Sequence, residues 1–246
     1  MNHHGSLGPL ADCLSLLSRP PALIAVAVIS AMQLARGYVM AMMIAQIRVA
    51  GAANLGLVVT AFGFAFFLLL LAIQFHLARR LGSDEPPTRP AELGTWFGAA
   101  MANGGAFWLM TAIVPVVMIS MVGMTPYLAL AMGIISLALR LLLYPVATLQ
   151  AAAAHGDREL TLGKIWAFVT SERPVWYLNF LLLGVAASVT PLLLSSLPSR
   201  GLSFSITNAL PPALIGAIIQ VLLLLYDVAT CRAARAAEVD MGSVFD

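Results

Sequence analysis

Residues 55–77 read LGLVVTAFGFAFFLLLLAIQFHL and contain no acidic residue, no lysine and no arginine. About 20 consecutive apolar residues make a helix long enough to cross the hydrocarbon core of a bilayer. A helix pairs its backbone N–H and C=O groups internally, whereas an open sheet leaves some of them unpaired in lipid. The stretch therefore predicts a transmembrane helix and an all-α integral membrane protein.

The composition of the rest of the chain agrees with this prediction. Of the 246 residues, 61% are hydrophobic and 10% are charged, whereas a soluble domain carries about 25% charged residues. Counting similar apolar runs predicts six transmembrane helices, at residues 21–46, 55–77, 96–122, 126–150, 175–197 and 210–230. The runs divide the chain into a tail at 1–20, a single transmembrane domain at 21–230 and a C-terminal tail at 231–246.

The orientation follows from the basic residues of the loops and tails, because cytoplasmic loops carry an excess of arginine and lysine. Only Arg48 and Arg200 lie on one side of the predicted spans. The other side has nine basic residues: Arg19, Arg79, Arg80, Arg89, Arg158, Lys164, Arg173, Arg232 and Arg235. Both termini are therefore predicted to be cytoplasmic. The short loops and the alanine- and arginine-rich composition favour a prokaryotic inner membrane.

Two segments outside the spans are amphipathic and are predicted to form interfacial helices on the cytoplasmic side. In the N-terminal tail one helical face carries Leu7, Leu10, Ala11, Leu14 and Leu17. In the loop between the fourth and fifth spans one face carries Leu162, Ile165, Trp166 and Val169. Each segment either orients the span that follows it or forms a docking surface for a partner.

Both amphipathic segments end in a basic residue and a proline, at Arg19-Pro20 and at Arg173-Pro174. Arginine anchors a helix at the interface, and proline begins a new helix. Together with Leu139-Arg140-Leu141 and Pro145, this pattern resembles a group of bacterial six-span membrane domains, with the similarity covering residues 132–187. The group includes the membrane domain fused to some glycerophosphodiester phosphodiesterases and stand-alone relatives of unknown function. The resemblance implies no catalytic residue here, because no soluble phosphodiesterase domain is present.

Three charged residues fall within predicted spans: Arg36, Arg140 and Asp227. A charge at the centre of a membrane helix costs about 2.5–3.5 kcal/mol on insertion scales, so each one suggests a structural or functional role. Counted from the ends of their predicted spans at 1.5 Å per residue, Arg140 is about 15 Å deep and Asp227 about 5 Å deep. Because arginine side chains can reach toward the interface, an Arg140–Asp227 pair is geometrically possible.

This candidate intramembrane charged site has two interpretations. In the first, Arg140 and Asp227 only fix the packing of two helices, and Arg36 is a structural residue. In the second, Arg36 and Arg140 face a shared cavity whose uncompensated positive charge attracts a lipid phosphate or another anion.

The third predicted span carries small residues at every fourth position, at Gly94, Gly98, Ala102 and Ala106. This spacing allows close helix approach and predicts a helix-packing face. The face would serve packing within the chain or contact with a second copy or a partner.

Sequence motifs of hydrolases, metalloproteases and phosphate-binding loops are absent from the chain. The net charge of +2 gives no indication of nucleic-acid binding. We therefore expect a non-catalytic membrane protein, with no cofactor or metal, acting as an accessory, assembly or membrane-organising subunit. Its expected partners are membrane lipids, including anionic ones, and other membrane subunits or itself. The alternative is a small carrier or lipid- or anion-handling protein that uses the buried arginines.

Overall fold

The computed structural model describes residues 8–50, 55–84, 87, 89–105, 126–195 and 206–242. Within these ranges it does not describe the side chains of residues 36, 40–50, 55–60, 62, 126–133, 136, 188–195, 206 and 238–242. Every regular element in the described part of the chain is a helix. This confirms the all-α prediction for that part.

Eight α-helices are described, in chain order: α1, Gly8–Leu17; α2, Pro20–Ala50; α3, Leu55–Leu81; α4, Leu93–Ala100; α5, Pro126–His155; α6, Leu162–Ala167; α7, Pro174–Ser195; α8, Ile206–Gly242. A π-helical turn follows α4 at Met101–Gly105, and another follows α6 at Phe168–Glu172. Pro20 and Pro174 are the first residues of α2 and α7, as the two basic-proline steps predict. Proline fits this position because the first N–H of a helix has no intrahelical partner.

Four helices in the described ranges are long and apolar enough to cross a membrane, over Pro20–Val39, Gly63–Leu81, Leu137–His155 and Thr207–Ala237. They correspond to the first, second, fourth and sixth predicted spans and indicate a membrane protein. The fifth predicted span coincides with α7, whose described apolar part, Pro174–Ala187, is shorter. The third predicted span is described only as far as Gly105.

Helix α8 is longer than its predicted span at both ends. Residues 231–242, predicted to form a tail, continue the helix. Alanines, which have the highest helix propensity, make up much of this extension. In the tertiary structure α8 packs against α1, α2, α3, α5 and α7, which makes it the central helix of the described bundle.

Helix α1 packs along α8 with a face that overlaps the predicted one in part, because Leu10 and Leu17 are partly buried against the core. Pro9, Cys13 and Leu16 are buried, whereas Leu14 of the predicted face is 55% exposed. The Cys13 thiol donates a hydrogen bond to the Leu222 carbonyl oxygen at 3.3 Å. Leu222 precedes Arg232 by ten residues, or about 15 Å along the helix. Helix α1 therefore contacts the spanning part of α8.

The second amphipathic segment follows its predicted face in part. Ile165 and Val169 are buried, whereas Leu162 and Trp166 are 44% and 45% exposed. The π-helical turn widens the helix after Ala167, and it places Phe168 in the buried face beside Val169. Trp166 is left exposed on the outer surface, where an amphipathic ring suits a membrane–water interface.

Candidate functional site

Most of the arginines predicted to be cytoplasmic meet at one end of the bundle. Asp84, in the turn after α3, accepts hydrogen bonds from Arg19 Nη2 at 3.2 Å and from Arg232 Nη2 at 2.8 Å. These bonds hold the pKa of the Asp84 carboxyl below its usual value, with Arg232 as the larger cause. The connection between α1 and α2, the end of α3 and the end of α8 therefore lie together.

The loop before α4 and the loop after α5 lie at this same end of the bundle, which we call the basic end. Further ion pairs there join Arg235 Nε to Asp157 Oδ2 at 2.7 Å, Arg89 Nη1 to Glu159 Oε1 at 3.7 Å, and Arg158 to Glu92. Arg79 also donates to the carbonyl oxygens of Arg89 and His155, at 2.9 and 3.4 Å. Exposed ion pairs each contribute about 0–1 kcal/mol, so they order these loops more than they hold the bundle together.

Asp157 is the most enclosed carboxylate of the basic end, with its side chain 10% exposed. Partial burial would raise the pKa of this carboxyl, but hydrogen bonds from Arg235 and from the backbone N–H groups of Glu159 and Leu160 outweigh it. The pKa of Asp157 therefore lies below its ordinary value of 3.8.

This pKa shift predicts an acid-sensitive contribution to stability. A carboxyl whose pKa is lowered by folding stabilises the folded state above its unfolded pKa and loses that effect as the pH falls through its folded pKa. The contribution of Asp157 is therefore complete above about pH 5 and is lost progressively below its ordinary value of 3.8. We expect Asp157→Asn to flatten the fall in melting temperature between pH 5 and pH 3. Asp12→Asn, at an exposed position on α1, should leave that fall unchanged.

The structure brings two of the three predicted intramembrane charges to the same depth. The Tyr144 hydroxyl of α5 lies 2.7 Å from Thr230 Oγ1 of α8 and sets the register of the two helices. Arg140 precedes Tyr144 by four residues and Asp227 precedes Thr230 by three, which corresponds to depths of about 6 and 4.5 Å below this contact. Arg140 and Asp227 interact electrostatically. The predicted difference in depth is wrong, because α8 extends farther at its C-terminal end than the sequence suggested.

Arg36 lies in α2, but its side chain is among those that the structure does not describe. A cavity shared by Arg36 and Arg140 stays a prediction.

Aromatic rings surround the Arg140–Asp227 level of the bundle. Tyr144 stacks on Phe180 of α7, with ring centroids 4.1 Å apart and planes 12° apart. Trp176 meets Tyr226 edge-on at 5.5 Å. The Tyr226 hydroxyl donates to the Trp176 carbonyl oxygen at 2.8 Å, and Asn179 hydrogen-bonds the same hydroxyl. These contacts tie α7 to α5 and α8 around the charges.

A chain of hydroxyl groups links α5 and α8 beside this aromatic cluster. Thr230 Oγ1 donates its proton to the Tyr226 carbonyl oxygen at 2.7 Å. A threonine hydroxyl has one proton, so Tyr144 must be the donor in its own bond to Thr230. Thr148 Oγ1 in turn donates to the Tyr144 carbonyl oxygen at 3.2 Å. These residues could not be singled out from the sequence, because a tyrosine or threonine within a span carries no charge to mark it.

The Tyr144–Thr230 bond has a testable effect on stability. Interhelical hydrogen bonds in membrane proteins contribute about 0.6 kcal/mol on average, with a maximum near 1.7 kcal/mol. Because both partners are completely buried, we expect Tyr144→Phe to lower the free energy of unfolding by about 1 kcal/mol. The measurement is a double-mutant cycle with Thr230→Val. If the two losses of free energy add fully, the bond makes no contribution.

Asp227 has a buried acceptor atom without a partner in the described part of the chain. Its side chain is 5% exposed, and its Oδ1 atom has no hydrogen-bond partner among the described residues. A buried polar atom of this kind costs about 1–3 kcal/mol and calls for an explanation in terms of function or a bound molecule. The amide of Gln150 and the Nε2 of Gln74 are also buried without a partner in the described part of the chain.

The predicted helix-packing face of α4 points outward. A Cβ atom added at Gly94 or Gly98 would meet nothing within 4 Å. Ala102 is exposed, and Ala106 lies outside the described residues. The face is therefore not used for packing within the described part of the chain, and the first of its two interpretations finds no support there.

A different face of α4 contacts the bundle. Ala99 and Ala100 are buried, and α4 packs against α5. Beside the open glycines, α4 and the π-helical turn carry an exposed ridge of large side chains one turn apart: Leu93, Phe97 and Met101, 62%, 59% and 47% exposed. The ridge and the glycines form one continuous outward surface, which we call the α4 face.

The described residues contain no group of three or more His, Cys, Asp or Glu side chains that could hold a metal ion. Comparisons with protein-family models, with curated proteins and with solved structures gave no match. The function must therefore be inferred from the charged site, the basic end and the α4 face.

Proposed function

We propose that this chain is a non-catalytic polytopic membrane protein that serves as an accessory, assembly or membrane-organising subunit. The observation that carries the proposal is the α4 face, where Gly94 and Gly98 leave open space beside Phe97. Glycine costs about 1 kcal/mol in a helix relative to alanine, and small residues in membrane helices let a second helix approach closely. An open face of this kind suits a partner helix, from another subunit or from a second copy of the chain.

The pair of Arg140 and Asp227 supports a structural role for the interior of the helix bundle. Arg140 and Asp227 offset each other at one depth, and the tyrosine and threonine hydroxyls around them are hydrogen-bonded. Buried charge pairs of this kind specify which helices meet. In this proposal the interior fixes the shape of the subunit, and the α4 face provides the contact with its partner.

We propose that the chain crosses a prokaryotic inner membrane six times and that both termini lie on the cytoplasmic side. The basic end supports it, because arginines from the first tail, two loops and α8 meet there. The positive-inside rule then assigns that end to the cytoplasm, next to anionic lipid headgroups. The resemblance of residues 132–187 to bacterial six-span domains points the same way.

The proposal predicts that filling the α4 face blocks assembly without unfolding the protein. We expect Gly98→Leu to abolish chemical cross-links from α4 to a partner or a second copy, because a leucine side chain holds the helices apart. The melting temperature should change little, since nothing lies within 4 Å of the added Cβ. The measurement is cross-linking in native membranes followed by mass spectrometry of peptides from 93–105.

Gly163→Leu is the matched control, because Gly163 is also open but lies on α6. Cross-links that persist in Gly98→Leu, or that disappear equally in Gly163→Leu, would contradict an interface at the α4 face.

A second function, lipid or anion handling, is favoured by one observation, the unused Oδ1 atom of Asp227 beside Arg140. A headgroup with a hydrogen-bond donor would satisfy this atom, and its anionic oxygen would lie near the positive charge of Arg140. Native mass spectrometry tests it: a bound phospholipid lost in Arg140→Gln would support this function, and a lipid content unaffected by Arg140→Gln would contradict it.

A further inference from the structure

Helix α1 packs on α8 beside Asp227. Cys13 is completely buried, and its thiol reaches the Leu222 carbonyl oxygen of α8. Asp227 lies five residues farther along α8, and it interacts electrostatically with Cys13. Tyr144 and Tyr226 also interact with Cys13. Helix α1 is therefore one wall of the site around Asp227.

The contact between α1 and the bundle is weakly held. In water, burial of Pro9, Cys13 and Leu16 would hold α1 in place. In a bilayer it does not, because lipid tails are as apolar as these side chains and supply no hydrophobic driving force for helix association. The wall then depends on van der Waals packing and on a few polar contacts. Among the described residues these are the weak thiol bond of Cys13 and the ion pair of Arg19 with Asp84.

The ion pair between Arg19 and Asp84 lies at the connection about which α1 would rotate. Arg19 is in the short connection between α1 and α2, and its partner Asp84 also binds Arg232 at the end of α8. The Arg19 and Asp84 side chains are 42% and 69% exposed. The contact is therefore open to solvent, and it is the part of the wall that water and ions can reach.

We propose that α1 is a displaceable wall: it swings from α8 into the surrounding lipid about the Arg19 connection and opens a lateral entrance from the bilayer to Asp227. A molecule that enters there could donate a hydrogen bond to the Oδ1 atom of Asp227, which has no partner among the described residues. The inference holds whichever of the two proposed functions is correct, because it concerns access to the site and not its use.

The two cysteines of the chain allow a direct test. Burial, together with the nearby carboxylates Asp227 and Asp12, raises the pKa of the Cys13 thiol to about 12. Thiolate, not thiol, reacts with maleimides, so Cys13 reacts only while α1 is displaced. Cys231 is also buried, but it lies on α8 and becomes accessible only when the bundle opens. It therefore serves as an internal control in every sample.

The experiment is maleimide labelling of the full-length protein in liposomes, with the modification of each cysteine followed by mass spectrometry. We expect Cys13 to be modified at least tenfold faster than Cys231. Arg19→Gln should raise the rate at Cys13 about two- to fivefold, the range expected from the loss of an exposed ion pair. The rate at Cys231 should not change.

Glu159→Gln is the matched variant, because it removes another exposed ion pair, with Arg89, at the same end of the bundle. It should change neither rate. Equal labelling rates at Cys13 and Cys231 would overturn the proposal, because they would show that Cys13 reacts only when the whole bundle opens. So would a rate at Cys13 that Arg19→Gln leaves unchanged, or that Glu159→Gln raises as much.

Discussion

Asp227→Asn is expected to destabilise the protein by about 3–5 kcal/mol, the range found when one partner of a buried charge pair is removed. The substitution preserves the shape of the side chain and replaces the carboxyl group that interacts electrostatically with Arg140. The remaining arginine charge is costly at membrane depth, by about 2.5–3.5 kcal/mol on insertion scales. Reversible unfolding in mixed micelles of dodecyl maltoside and SDS measures the loss.

Adding Arg140→Gln to Asp227→Asn shows whether the lost stability comes from the interaction between the two residues. If the two charges stabilise each other, Arg140→Gln combined with Asp227→Asn should recover most of the stability lost in Asp227→Asn alone. Asp12→Asn removes an exposed carboxylate on α1 and should be neutral within about 0.5 kcal/mol. Fully additive losses in the double variant would show that Arg140 and Asp227 do not act as a pair.

Gly156→Ala is the second substitution with a large expected effect. Gly156 ends α5 with φ at +89°, a conformation that alanine adopts only at a cost of about 1–2 kcal/mol. An added Cβ would also lie 2.5 Å from the Pro90 carbonyl oxygen, which is backbone and cannot rotate away. Overpacking typically adds about 1–3 kcal/mol, so we expect a total loss of about 2–5 kcal/mol.

The effect of Gly156→Ala should extend to the basic end. Asp157 follows Gly156 and binds Arg235, so a shift of this turn should also weaken the acid-sensitive contribution of Asp157. Gly163→Ala is the control, because Gly163 has ordinary φ and open space around its Cα. A loss of less than about 1 kcal/mol in Gly156→Ala would mean that the turn adapts and that the close approach of Pro90 is not a constraint.

The presence of apolar, membrane-type helices and the residues at which two of them begin could be predicted from the sequence, because both depend on local chemistry. A run such as 55–77 has one stable conformation in lipid, and Pro20 and Pro174 each suit the first position of a helix, where the N–H has no intrahelical partner. Helix ends were harder to predict. The alanines and arginines beyond Thr230 are polar enough to resemble a tail, but tertiary ion pairs from Arg232 and Arg235 keep them in α8.

The buried and outward faces could not be predicted in the same way. In a soluble protein the apolar face of a helix is the buried face, but in a bilayer both faces are apolar. Leu14 therefore faces outward while Cys13 packs against α8. The glycines of α4 fit a packing motif, yet they lie open, because the buried contact with α5 is made by Ala99 and Ala100.

The charged site could be predicted in part. Charge within a span singled out Arg140 and Asp227, and the structure brings them together. The hydroxyl and aromatic residues around them were missed, because Tyr144 and Tyr226 become informative only when α5, α7 and α8 are placed side by side.

The number of spans is the central claim, and the third predicted span decides it. Single cysteines placed at residues 54, 83, 124 and 199, in a cysteine-free background in intact spheroplasts, can be labelled with a membrane-impermeant maleimide. Six spans with cytoplasmic termini predict labelling from outside at positions 54, 124 and 199, and protection at position 83 until the membrane is opened. Protection at position 124 together with position 83 would contradict six spans, because residues 93–150 would then not cross the membrane twice.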